Sequence, residues 1–188
     1  MKRLVVLISG RGRNLQAIIE AIASGELQAE VALVLSNRPD AGGLDYARAA
    51  GINTCVIRHA DFPTREAFDA EMIAAIEPCK PDLVVLAGFM RILSSAFVRA
   101  FAGRLINIHP SLLPLYPGLD THARAIAAGD SEHGASVHWV TEELDGGPVI
   151  LQGRMRIRAG ETAEQLATRL LEEVEVKLYP QAIKLLLS

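Results

Sequence analysis

Leu4-Val5-Val6-Leu7-Ile8-Ser9-Gly10-Arg11-Gly12-Arg13-Asn14-Leu15 is the stretch whose reading decides the fold. Its aliphatic run is too short to cross a membrane and lacks the alternation of a half-wet strand, so it reads as a strand buried on both faces. Lys2 and Arg3 superficially suggest a signal peptide, but Gly10-Arg11-Gly12-Arg13 stands where the apolar region of one would continue. From Asn14 to Ser24 the apolar residues Leu15, Ile18, Ile19 and Ile22 recur at helical spacing. A strand, a glycine turn and a helix in succession form the first half of a βαβ unit. The turn opens onto a helix N-terminus, where free N–H groups and a partial positive charge favour an anion.

The same rhythm continues outward. Strands are expected at Val31–Ser36, Thr54–Ile57, Leu83–Ala87 and Leu105–Ile108, with helices at Gly42–Ala50, Arg65–Ile76 and Ser95–Ala102. Alternation of this kind implies a mostly parallel, Rossmann-like α/β sheet with helices on both faces, and active loops at the strands' C-terminal ends. After Pro110 the pattern changes. Prolines at 110, 114 and 117 lead to a helix near Thr121–Ala128, and then Ser136–Val140 and Val149–Ile157 alternate like the arms of an antiparallel hairpin. Thr162-Ala163-Glu164-Gln165 has the form of a capping box, and Leu166, Leu170, Val174 and Leu178 make a buried stripe behind it. Pro180 is expected to kink or end that helix, and Glu172, Glu173 and Glu175 to form its wet face. With no repeat and no linker, residues 1–188 read as one domain.

Composition narrows the function. A net charge of −3 and 22% charged residues describe a globular chain without the basic surface that general nucleic-acid or acidic-membrane binding needs. Cys55 and Cys79 read as two reduced thiols, and the expected compartment is the cytoplasm. No His, Cys and carboxylate spacing suggests a metal, and no G-x-S-x-G elbow suggests a serine hydrolase. His59, His122, His133 and His138 read as structural or surface histidines.

Three segments carry chemistry. The first is the glycine turn, which is a poor dinucleotide fingerprint. Leu15 replaces its third glycine, Asn37 and Arg38 close the second strand where an acid would bind ribose, and the Lys-Ser/Thr of a P-loop is missing. A single phosphate suits it better. The second is Ala87-Gly88-Phe89-Met90-Arg91-Ile92-Leu93, whose apolar side chains suit a slot for a flat heterocycle. The third is Leu105-Ile106-Asn107-Ile108-His109-Pro110. Strand alternation projects Asn107 and His109 to one side, where an amide donor and an imidazole both reach one reacting oxygen. Glu142-Glu143-Leu144-Asp145-Gly146-Gly147-Pro148 supplies a carboxylate in a glycine-rich loop, and a carboxylate meeting His109 would favour its charged form.

Asn107 to Pro114, Tyr116-Pro117-Gly118, His133-Gly134, Ser136-Val137-His138 and Leu144 to Pro148 together resemble the folate-dependent formyltransferases. Ile8-Ser9-Gly10, Asn14-Leu15-Gln16 and Leu86 to Leu93 narrow the resemblance to the branch that formylates glycinamide ribonucleotide in purine synthesis. The resemblance runs over essentially the whole chain. It implies formyl transfer from 10-formyltetrahydrofolate, used as a co-substrate without a metal, with Asn107, His109 and Asp145 catalytic. It implies phosphate or substrate contacts from Gly12, Arg13, Asn14 and Glu175. Arg65, Met90, Arg91, Ile92 and Leu93 would frame the folate, with the loop from Val140 to Asp145 closing over its pteridine edge. The expected partners are the two small molecules, with no nucleic acid and no membrane, and a homodimer is one open assembly. Neither a C-terminal RNA-binding module nor a preceding regulatory module is expected. Two alternatives stay open: a hydrolase releasing formate from the same folate, and a module that binds phosphosugar or folate without turnover. The chain also departs from the pattern. Arg13 stands for the usual Ser, and Asp120 stands for a His. Glu173-Val174-Glu175-Val176 replaces a Glu-His in a last helix one residue longer, and one residue turns a helical face by about 100°.

Overall fold

The computed structural model describes residues 1–188, which resolve into two compact units, Met1–Ile106 and Asn107–Ser188. In the first unit, β1 (Lys2–Ile8) pairs in parallel with β2 (Ala29–Ser36) on one side and β4 (Leu83–Leu86) on the other. β3 (Thr54–Val56) extends the sheet beyond β2, and β5 (Leu105–His109) begins beside β4. Leu4 to Ile8 are fully buried, as expected of a central parallel strand covered on both faces. The intervening helices are α1 (Arg13–Ala23), α2 (Gly43–Ala49), α3 (Arg65–Ile76) and α4 (Ser95–Ala100). α1 buries Leu15, Ala17, Ile18 and Ala21, while Ile19 and Ile22 are only half-covered. α3 and α4 begin where hydroxyl side chains cap them: Thr64 accepts from Ala67 N and Ser94 from Phe97 N. α1 has no such cap and starts from Gly12 in the left-handed region, at φ 75°.

In the second unit the strand order is β5, β6 (Glu132–Trp139), β7 (Val149–Arg156), and β6 and β7 form the expected antiparallel hairpin. β6 begins four residues earlier than its alternation suggests. Glu132-His133-Gly134 pairs with Arg154 to Arg156, and Gly134 lies so near the Gly153 carbonyl that a Cβ would overlap it. Close backbone approach, not side-chain patterning, makes this part of the strand. α5 (Thr121–Ala127) follows the proline loop, whose Leu113–Pro114 peptide is cis. The capping box forms as expected at Thr162 and Gln165, opening α6 (Ala163–Leu170).

Two expectations for the last helix are corrected. Residues Leu171–Glu175 form a π-turn between α6 and α7 (Val176–Leu187). That wider turn takes in one residue more than an α-turn and rephases the helix beyond it. Glu172 and Glu173 stay wet, whereas Glu175 turns inward and is 9% exposed. Pro180 neither ends nor interrupts the helix, which runs through it to Leu187. Leu166, Leu170, Leu178 and Tyr179 are buried, and Val174 half-buried. No helix is long and apolar enough to cross a membrane.

Candidate active site

In the second unit, four side chains meet at the exit of β5. Asn107 and His109 are two residues apart on one strand, so pleating turns both the same way. Asp145 reaches them from the glycine-rich loop after β6, where its backbone is left-handed at φ 52°. Its Oδ2 stands 3.5 Å from His109 Nδ1 and accepts from Gly118 N at 2.8 Å. Both side chains of the pair are 8% exposed. On the far edge of the imidazole, His109 Nε2 donates to the Tyr116 carbonyl at 2.8 Å. Acceptors therefore face both ring nitrogens, the Tyr116 carbonyl at 2.8 Å and the Asp145 carboxylate at 3.5 Å.

His138, expected to be merely structural, is the fourth member. Its Nε2 lies 3.5 Å from Asn107 Nδ2 and 3.9 Å from Asp145 Oδ1, and its Nδ1 lies 3.1 Å from the Trp139 carbonyl. A carbonyl only accepts, so the Nδ1 proton sits toward Trp139 and Nε2 presents a lone pair to the Asn107 amide. Burial pushes His138 below the ordinary histidine value, overcoming its bond to Trp139 and the nearby Asp145. The neutral ring thus holds the Asn107 amide with its N–H₂ end toward it, leaving one N–H to donate elsewhere. The sequence signal was the alternation in Ser136-Val137-His138, which sets Ser136 and His138 on one face of β6.

The surrounding loop is held by its own polar contacts. Ser136 Oγ donates to the Ser111 carbonyl at 2.7 Å and accepts from Leu113 N at 3.1 Å. Thr121 Oγ1 donates to the Pro110 carbonyl at 2.6 Å. His122 Nδ1 and His133 Nε2 are 3.1 Å apart. Burial, then the neighbouring His122, pushes His133 down to about 4. Asp120, the departure from the expected His, is exposed and left-handed at φ 56°, and its side chain makes no cap hydrogen bond. Val140 follows β6 and is half-buried, and Glu142 to Leu144 are exposed. Glu175 is on the π-turn described above, where it is buried.

The remaining expected residues lie in the first unit. Gly12, Arg13 and Asn14 form the turn into α1, and Gly12 packs on Gly43 so closely that a Cβ would fall 2.5 Å from the Gly43 Cα. Asn14 is buried and Arg13 half-buried. Arg65 begins α3 and is exposed. In the loop after β4, Met90 is 70% and Ile92 60% exposed, with Arg91 and Leu93 half-buried. Met90 and Ile92 thus form an apolar platform facing solvent.

Known proteins share this sequence and fold. The family model described as formyl transferase matches residues 2–183. Phosphoribosylglycinamide formyltransferase of Escherichia coli is 54% identical over 180 residues, spanning 96% of this chain and 84% of that protein. Its counterpart of the same name in Haemophilus influenzae is 46% identical, spanning 98% and 86%. Among solved structures, glycinamide ribonucleotide transformylase 1 from Symbiobacterium toebii superposes with a TM-score of 0.95 at 44% identity, spanning 98% of this chain and 87% of that one.

Proposed function

The chain belongs to the formyl transferase family, and from that premise we propose that it transfers a formyl group from 10-formyltetrahydrofolate to the amine of glycinamide ribonucleotide in de novo purine synthesis. The single observation that carries the assignment of roles is the cluster of Asn107, His109, His138 and Asp145 around one strand end. The amine nitrogen attacks the formyl carbon, a C–N bond forms, and the carbonyl electrons move to oxygen. The free N–H of Asn107 and the protonated His109 stabilise that oxyanion. Collapse of the tetrahedral centre breaks the bond to the folate nitrogen, and the proton lost by the amine is returned to that nitrogen through His109. Asp145 holds the charge on the imidazole. The Tyr116 carbonyl occupies the Nε2 proton, so substrate takes over that hydrogen bond when it arrives.

By the same premise, Gly12, Arg13 and Asn14 hold the substrate phosphate at the uncapped start of α1, and Glu175 serves the ribose hydroxyls. Arg65, Met90, Arg91, Ile92, Leu93 and Val140 frame the folate, and residues 1–188 act as one formyltransferase domain. On this reading the enzyme works in the cytoplasm, and sedimentation tests whether it assembles as a homodimer. Relatives named as transferases favour transfer over hydrolysis or binding without turnover. Product analysis tests it: formylated ribonucleotide is expected, free formate alone would establish the hydrolase, and neither product would establish a binding module. His109→Ala should lower turnover roughly 10²-fold or more, the scale of losing an acid–base or oxyanion group.

A further inference from the structure

Strand register in the first unit lines up the positions where the chain leaves the sheet. Ile8 pairs with Ser36 and Leu7 with Leu86, so the residues following β1, β2 and β4 stand side by side. There a directional chain of hydrogen bonds forms. Met90 N donates to Ser9 Oγ at 2.8 Å, and Ser9 Oγ donates to Asn37 Oδ1 at 2.6 Å. Asn37 Nδ2 lies 3.2 Å from His59 Nδ1. Each direction is forced. The Met90 amide only donates, so the one hydroxyl proton of Ser9 goes to Asn37; the oxygen of Asn37 is then engaged and its N–H₂ faces His59, whose Nδ1 accepts. Ser9 and Asn37 are buried, and His59 is half-buried with its ring edge-on to Phe68 of α3.

The other end of the same loop is tied to the next residue of α3. Asp69 is 1% exposed, and its Oδ2 accepts from Ser94 N at 2.6 Å. Its Oδ1 is buried without a hydrogen-bond partner. Burying a carboxylate with an idle oxygen is unfavourable for folding, which marks the position as serving more than stability. The segment from Met90 to Ser94 thus has its backbone pinned at both ends by buried polar groups, while Met90 and Ile92 stand in solvent.

We propose that Ser9, Asn37, His59 and Asp69 are positioning residues that pre-organise the Met90–Leu93 platform for the folate. The proposal rests on the reading of that segment as the folate frame. A loop already fixed in its bound shape loses little freedom on binding, so the relay acts on folate affinity and not on the chemical step. It also accounts for Asn37, which stands where a dinucleotide-binding sheet would carry an acid. Here the side chain faces Ser9 and His59.

The test uses the intact chain and two readouts, hydrogen exchange at the Met90 amide and the KM for each substrate. Ser9→Ala should speed Met90 exchange and raise the KM for 10-formyltetrahydrofolate about threefold to tenfold, the scale of one hydrogen bond. The KM for glycinamide ribonucleotide and kcat at saturation should stay within twofold. His59→Phe, at the half-exposed end where folding is least at risk, should move both readouts the same way by less. His59→Gln, whose carbonyl accepts from Asn37, should restore them. Unchanged Met90 exchange in Ser9→Ala and His59→Phe overturns the relay. Equal rises in both KM values overturn it too, by showing general loosening. Faster Met90 exchange with an unchanged folate KM overturns the proposal, because the pinning then does not serve folate; the folate reading of Met90–Leu93 fails separately, if Ile92→Asp leaves folate binding unchanged.

Discussion

Asp145→Asn separates charge from shape at the proposed active site. The amide is isosteric with the carboxylate, and its oxygen still accepts from Gly118 N, as Oδ2 does now at 2.8 Å. The same neutral oxygen then faces His109 Nδ1 across 3.5 Å, and the N–H₂ takes the place of Oδ1, toward His138 Nε2, so the shape is kept and the charge is lost. The electrostatic loss is set by the 3.5 Å separation. A full charge pair at such a distance is worth about 4 kcal/mol at an effective dielectric of 20. The bond from Gly118 already offsets part of the carboxylate's field, so roughly 2–4 kcal/mol of transition-state stabilisation is at stake, or about 30- to 1000-fold in kcat. Steady-state production of tetrahydrofolate, followed by absorbance with both substrates saturating, measures it. Both KM values should change little, because the carboxylate acts through His109. A folded variant with kcat within threefold of the parent would refute the coupling and leave Asp145 as a loop-shaping residue.

Three further outcomes are expected. Gly12→Ala forces a left-handed residue and drives a Cβ against Gly43; it should cost about 2 kcal/mol or more and raise the ribonucleotide KM, read by thermal melting and kinetics. Ile92→Asp places a charge on the exposed platform and should weaken folate binding more than ribonucleotide binding in separate calorimetric titrations; equal losses would argue against the platform. Stability should fall with acid because His133 is held down to about 4 while the unfolded ring titrates near 6.5. The unfolded chain takes up a proton that the folded chain refuses, so the contribution is complete above pH 6.5. It is lost as pH falls toward 4, amounting to about 3 kcal/mol at most. Denaturant midpoints at pH 7.5 and 4.5 check this, and a loss undiminished in His133→Phe would assign it to other groups.

The parallel strands of the first unit were legible because burial on both faces leaves an unbroken aliphatic run, and the cap at Thr162 because a hydroxyl residue there satisfies a specific N–H group. Strand alternation put Asn107 and His109 on one side, and the resemblance of the surrounding motifs, not that spacing, implied their roles. His138 was not picked out: alternation in Ser136-Val137-His138 sets its face, but what brings that face to the site is the adjacency of β6 to β5, which no local pattern encodes. The early start of β6 was hidden for another reason. Gly134 contributes to its strand by letting another backbone approach, and a missing side chain leaves no pattern. The Ser9–Asn37–His59 relay was equally invisible, because it depends on strand register.

The π-turn at Leu171–Glu175 makes the last helix tolerant of a change in length. An insertion elsewhere in a helix swings every later side chain off its partner, and selection removes it. Here the slack is gathered into one turn, so the Leu166–Leu170 contacts before it and the Leu178–Tyr179 contacts after it keep their own alignment. Deleting a single residue from this turn should therefore give a shorter, regular helix with both sets of packing kept. The same deletion within α6 would uncouple them. The wide turn is the joint at which this helix can lengthen or shorten over evolution while Glu175 stays aimed inward.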